Sequence, residues 1–171
     1  MLERPGLITM KGNPLVLLGK DVKVGQAAPD FTVTANDLSE VKLDTFKGKV
    51  RIIASVPSLD TPICDIETKK FSEKVGKLGA DVAMLTISMD LPFAQKRWCG
   101  ASSVTNVHTL SDHRDASFGQ NYGVLIKGLR LLARAIFVID KKGVVKYVQL
   151  VKEIASEPNY DEVLAAVAKL S

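Results

Sequence analysis

Cys64 and Cys99 are the only thiols in 171 residues, and the first of them stands where a helix should begin. The run Val50-Arg51-Ile52-Ile53-Ala54-Ser55-Val56 has the length and apolar character of a buried strand. Pro57-Ser58-Leu59-Asp60-Thr61-Pro62-Ile63-Cys64 follows it directly. Thr61 suits an N-cap and Pro62 a first helical position, with Ile66, Lys69, Lys70 and Phe71 continuing at helical spacing. Cys64 then falls in the first turn, where unpaired backbone N–H groups and the helix dipole favour a negative sulfur. That is the chemistry of a nucleophilic thiolate. Asp60, Asp65 and Glu67 push the other way, so the sequence calls for a cation from elsewhere in the chain.

The elements that must position this cysteine are legible as a pattern. An opening hairpin pairs Gly6 to Met10 with Leu15 to Leu18 about the turn Lys11-Gly12-Asn13-Pro14. Short alternating strands follow at Phe31 to Thr34 and Val41 to Leu43. A helix through Phe71, Val75 and Leu78 stops near Gly79, and Val82 to Ser88 is an apolar run of parallel-strand length, giving a β-α-β unit around Cys64. Pro92 to Trp98 predicts a short helix carrying Cys99 near its end. A strand at Val107 to Leu110, a helical segment from Ala116 to Tyr122 and a loop from Gly123 to Gly128 come next. Arg134 to Asp140 and Val144 to Leu150 predict an antiparallel hairpin, and Asp161 to Leu170 an amphipathic helix. The fold class is thus α/β, a thioredoxin-like domain spanning 1–171 with residues 1–20 as an N-terminal β-hairpin extension.

Composition narrows the function. Hydrophobic residues make up 46% and charged ones 25%, the balance of one domain with room for a core. The net charge of +4 is mild, with lysines spread along the chain, which argues against nucleic-acid binding. No segment approaches the ~20 apolar residues of a membrane span, and the N-terminus lacks a secretory signal, so the expected location is cytoplasmic. In that compartment two cysteines point to catalysis or redox switching rather than a permanent bridge, with burial as two inert apolar residues the plain alternative.

Pro57, Thr61 and Cys64, spaced proline-x-x-x-threonine-x-x-cysteine after a buried strand, resemble the signature of peroxiredoxins. The resemblance extends along nearly the whole chain to the thiol peroxidase branch, the atypical two-cysteine peroxiredoxins. It is carried by Pro57 to Thr61, Arg97-Trp98-Cys99-Gly100, Asn106 to Ser111, Ala133-Arg134-Ala135 and the Lys11 to Pro14 turn. It implies that Cys64 is the peroxidatic cysteine and Cys99 the resolving one, joined in an intrachain disulfide after each reaction. It implies too that Pro57 shields the sulfur, that Thr61 and Arg134 bind the peroxide, and that Arg134 is the missing cation. The implied substrates are hydrogen peroxide and alkyl or lipid hydroperoxides. The implied partners are thioredoxin as reductant and a second copy in a homodimer, with no cofactor or metal.

Other readings compete. Cys64, Cys99, His108 and His113 are possible zinc ligands, but they lack close-set pairs and His108 falls in an apolar strand. A non-catalytic redox sensor would use the same disulfide. Trp98, Phe93 and Tyr122 could flank an apolar substrate, although core packing is the commoner use of such residues, and Arg114 reads as structural. Because a disulfide needs Cα atoms within about 7 Å, two helices carrying the cysteines imply local unwinding between redox states.

Overall fold

The computed structural model describes residues 1–170. The chain begins with β1 (Glu3–Met10) and β2 (Asn13–Leu18), then β3 (Thr32–Thr34), β4 (Glu40–Lys42) and a 3-10 turn at Leu43–Phe46. The central portion runs β5 (Val50–Ser55), α1 (Pro62–Val75), β6 (Val82–Ser88), α2 (Pro92–Ser102) and β7 (His108–Ser111). It closes with α3 (Ser117–Asn121), β8 (Leu125–Ile126), β9 (Ala135–Ile139), β10 (Val145–Leu150) and α4 (Tyr160–Ala168).

Seven strands form one sheet in the order β10-β9-β5-β6-β7-β3-β4. β5, β6 and β7 run parallel, while β9 lies antiparallel to β5 on its other side. Every residue of β5 is buried, as expected for an apolar strand covered on both faces. Alternation along the strands divides the core. Val50, Ile52, Ala54, Met84, Ile136 and Val138 pack beneath Phe71 and Val75 of α1 and Val163 and Val167 of α4. Ile53, Leu85, Ile87, Phe137 and Ile139 face the opposite side, against Phe118, Tyr122, Ile8 and Leu17. Each such large side chain, taken from water, contributes roughly 1.5–3 kcal/mol.

The N-terminal hairpin covers that second face. β1 pairs with β2, and β2 with β8, in a separate three-stranded sheet. Gly123 to Gly128, expected as loop, therefore contains a strand. Leu125 and Ile126 pair with Leu18 and Leu17, and two residues are too few to show a period in the sequence. Helix α2 also exceeds expectation: it continues to Ser102 and ends at Ser103, whose left-handed backbone (φ 54°) returns an N–H to the Cys99 carbonyl. The terminal hairpin of β9 and β10 forms as expected, and α4 is capped by the Asn159 side chain accepting from Glu162 N. Among the described residues no helix is long and apolar enough to cross a membrane.

The hairpin meets the rest of the chain closely at Gly19. Its φ is +96°, and a Cβ there would stand 2.2 Å from the Gln120 carbonyl oxygen. Gly19→Ala is therefore expected to cost about 2 kcal/mol or more, read as a lowered urea midpoint. An unchanged midpoint would show that the hairpin seats loosely.

Candidate active site

Strand register places the site. Ser55 pairs with Ala135 across β5 and β9, so Arg134 stands level with Val56, where the chain leaves the sheet. Ser55 Oγ donates to Ala133 O at 2.7 Å and fixes that crossing. The parallel strands β5, β6 and β7 all end on this edge, the usual place for a site in an α/β sheet. From β6, Asp90 braces the loop after β5: its carboxylate accepts from Ser58 Oγ at 2.7 Å and from Leu59 N at 2.8 Å.

Pro57 is buried within this loop and Thr61 is half-buried at its end. Thr61 occupies the N-cap of α1 and Pro62 begins the helix, as the residue types require. The hydroxyl, however, does not cap. It donates to the Ser58 carbonyl at 3.0 Å, which ties the loop to itself and leaves the oxygen able to accept. Cys64 follows in the first turn with no accessible surface, packed with Val56, Leu59 and the ring of Trp98.

Arg134, 2% exposed, belongs to the interior, unlike the surface ion pair that an arginine at a strand start ordinarily makes. Its Nη1 donates to Glu67 Oε2 at 3.0 Å, and Nε and Nη2 donate to the Ile154 carbonyl at 3.0 and 2.8 Å. A guanidinium has five N–H bonds, so one remains on each terminal nitrogen. Glu67 lies three residues after Cys64, on the same face of α1. Glu67, read in the sequence as one of the acidic neighbours of Cys64, has its carboxyl paired with the guanidinium. Burial also pushes that carboxyl up to about 7, against the pull of Arg134. Asp65 is likewise engaged, with Lys69 at 2.9 Å and with the Trp98 indole N–H at 2.9 Å.

Both cysteines are free thiols. Trp98 and Cys99 are consecutive on α2 yet face different neighbours: the indole reaches α1, and Cys99 Sγ lies 3.3 Å from Thr109 Oγ1 on β7. The structure thus brings Pro57, Thr61, Cys64 and Arg134 to one edge of the sheet and seats Cys99 apart from them. Between the 58–60 loop and α2 is a cleft of about 510 Å³ lined by Leu59, Asp90, Ala94, Arg97, Trp98 and Ala101.

The remaining candidates separate. Tyr122 is core, stacked on Phe118 with centroids 4.5 Å apart, whereas Phe93 is 66% exposed on α2 and Arg114 is exposed. His108 packs on Phe46, and His113 Nδ1 lies 2.8 Å from Ser111 Oγ. Among the described residues no three His, Cys, Asp or Glu side chains gather as a metal site. Sequence reasoning missed Glu67 as the partner of Arg134, although its spacing from Cys64 was a usable signal. Asp90 and Asn36 gave none, since only the fold brings them near, and Thr109 lay in the Asn106 to Ser111 run without being singled out.

Comparison with known proteins identifies the family and the fold. The redoxin family model matches residues 23–164. A thiol peroxidase of Bacillus subtilis is 55% identical over 163 residues, covering 95% of this chain and 97% of that protein. One from Halalkalibacterium halodurans is 57% identical over 159 residues, covering 93% and 95%. The crystal structure of a peroxiredoxin-like protein from Aquifex aeolicus superposes with a TM-score of 0.91 at 47% identity, covering 98% of this chain and 99% of that one. The fold is therefore thioredoxin-like, of the peroxiredoxin type.

Glu67 generates a pH dependence of known sign. An unfolded glutamate titrates near 4.5 and the folded one near 7, so between these values the folded state holds more protons. Stability from this group is then full below the lower value and falls as pH rises toward the upper. Urea denaturation across that window should show wild type losing stability relative to Glu67→Gln. A difference that does not change with pH contradicts the assignment.

Proposed function

The chain belongs to the redoxin family and is a peroxiredoxin-type peroxidase, and from that premise we propose that Cys64 is the peroxidatic cysteine, with Thr61 and Arg134 binding the peroxide and Pro57 shielding the sulfur. The observation that carries this reading is the Arg134–Glu67 pair, which anchors a buried guanidinium to the helix face bearing Cys64. The two remaining N–H groups of Arg134 and the accepting oxygen of Thr61 suit a hydroperoxide, which needs donors to both oxygens and an acceptor for its proton.

Cys64 attacks the terminal oxygen as thiolate. The O–O bond breaks, the sulfur becomes a sulfenic acid, and the departing oxygen leaves as water or an alcohol once it gains a proton. Arg134 stabilises the charge moving onto that oxygen. Cys99 then condenses with the sulfenic acid to give an intrachain Cys64–Cys99 disulfide and water, and thioredoxin reduces the bridge. Hydrogen peroxide and organic hydroperoxides are the substrates. The apolar part of the cleft wall, Leu59, Ala94, Trp98 and Ala101, supports alkyl and lipid-like substituents. A cytoplasmic homodimer is the working form in this reading.

Because Cys64 packs under Trp98 and Cys99 packs on Thr109, bridging them requires the end of α2 to leave its seat. Closing a loop of roughly 36 residues contributes about 4 kcal/mol in the chain-entropy model, offset by the packing that α2 gives up as it moves. Hydrogen-exchange protection around both cysteines should fall on oxidation, and equal protection in the two redox states contradicts the proposed movement.

Peroxide consumption with thioredoxin and its reductase tests the assignment. Cys64→Ser should abolish turnover, Cys99→Ser should permit one sulfenylation without efficient recycling, and Arg134→Lys should slow the first step about a hundredfold. Full turnover by Cys64→Ser overturns the reading. A disulfide that forms once and supports no turnover would make the protein a redox sensor instead.

A further inference from the structure

We propose that Thr109 is a positioning residue for Cys99, holding the resolving cysteine as a neutral thiol on β7 and so setting the lifetime of the Cys64 sulfenic acid. This rests on the reading of Cys99 as the resolving cysteine. Cys99 Sγ lies 3.3 Å from Thr109 Oγ1, and Thr109 Oγ1 donates its own proton to Asn36 Oδ1 at 3.2 Å. With that hydrogen committed, the threonine oxygen meets the sulfur with lone pairs. The bond is then S–H donating to Oγ1, an arrangement that fits a thiol and not a thiolate.

The surroundings point the same way. Gln95 sits one turn before Cys99 on α2, and its buried Oε1, another acceptor, has no partner among the described residues. Its amide nitrogen is occupied by Ser88 Oγ and the Leu110 carbonyl, so it offers the sulfur no donor. Thr86, the cross-strand neighbour of Thr109, also carries a buried hydroxyl without a partner among the described residues. Of these two threonines, Thr109 is the one engaged with the sulfur.

Resolution requires the opposite state of Cys99. Its sulfur must attack the sulfenic sulfur of Cys64, forming the S–S bond, while the Cys99 proton and the sulfenic hydroxyl leave together as water. The step is redox-balanced within the chain and needs no further oxidant. While Cys99 is seated, its proton is held by Thr109 and its sulfur faces β7, so the hydrogen bond must break before attack. During that delay a second peroxide can take the sulfenic acid to the sulfinic state, with the second peroxide reduced to water or alcohol.

Thr109→Val keeps the β-branched shape and removes the hydroxyl. Thr109→Ser restores the hydroxyl, and Thr86→Val removes a neighbouring hydroxyl that does not touch the sulfur. Reduced protein is mixed with one equivalent of hydrogen peroxide, and disulfide formation is followed by the fluorescence of the single tryptophan and by quenched mass analysis. Alkylation of Cys99 by iodoacetamide is measured separately in a Cys64→Ser background. The net worth of one hydrogen bond sets the expected size: Thr109→Val should speed both processes about three- to tenfold. It should also lower the fraction of sulfinic Cys64 in excess peroxide, with Thr109→Ser and Thr86→Val close to wild type. Disulfide formation by Thr109→Val at or below the wild-type rate overturns the role of Thr109 while leaving Cys99 as the resolving cysteine. Absence of any Cys64–Cys99 disulfide in wild type overturns both.

Discussion

The buried pair between Arg134 and Glu67 is the interaction on which the site depends. A guanidinium with almost no accessible surface costs several kcal/mol to desolvate, and it persists only if its charge and donors are met. Glu67 meets the charge and the Ile154 carbonyl takes two donors, so three separate parts of the chain converge on one side chain. Those parts are the helix of Cys64, the start of β9 and the segment after β10. Ile154 is itself held, since its N–H donates to the Thr9 carbonyl of β1 at 2.9 Å. The N-terminal hairpin thereby backs the segment that orients the arginine.

The sheet makes this convergence possible. An antiparallel β9 beside a β5 that is parallel to β6 brings the entry to one strand level with the exit from the next. Arg134, just before β9, and Val56, just after β5, therefore stand level at the same edge of the sheet. Asp90, arriving from β6, fixes the same loop from the other side.

Much of this was legible in the residues. The apolar run at Val50, the Thr61-Pro62 helix start and the terminal hairpin follow from local chemistry, and the structure has all three. The β8 pairing was invisible because a two-residue strand is defined by its partner, not by its own pattern. Charges were harder still. Glu67 near Cys64 looks repulsive in a linear reading, and only the folded chain reveals that its carboxyl is directed at Arg134. Asn36 is distant in sequence and ordinary in type, and Thr109, though inside the Asn106 to Ser111 run, carries no local feature that ties it to Cys99.

The C-terminus of α2 determines how much of the molecule must be disturbed to free the Cys99 thiol. Ser103 leaves the helix in a left-handed conformation, and its N–H closes on the Cys99 carbonyl, so Cys99 sits in the final turn. The terminal turn of a helix is the part that opens at least free-energy cost, while core strands open only with the whole fold. A left-handed non-glycine residue adds about 1–2 kcal/mol of strain at that boundary. Fraying can then release the second thiol while the seven-stranded sheet and its buried arginine stay intact. The two thiols thus differ in mechanical setting: Cys64 is buried beside a sheet that opens only with the fold, and Cys99 rides on a helix end that opens alone.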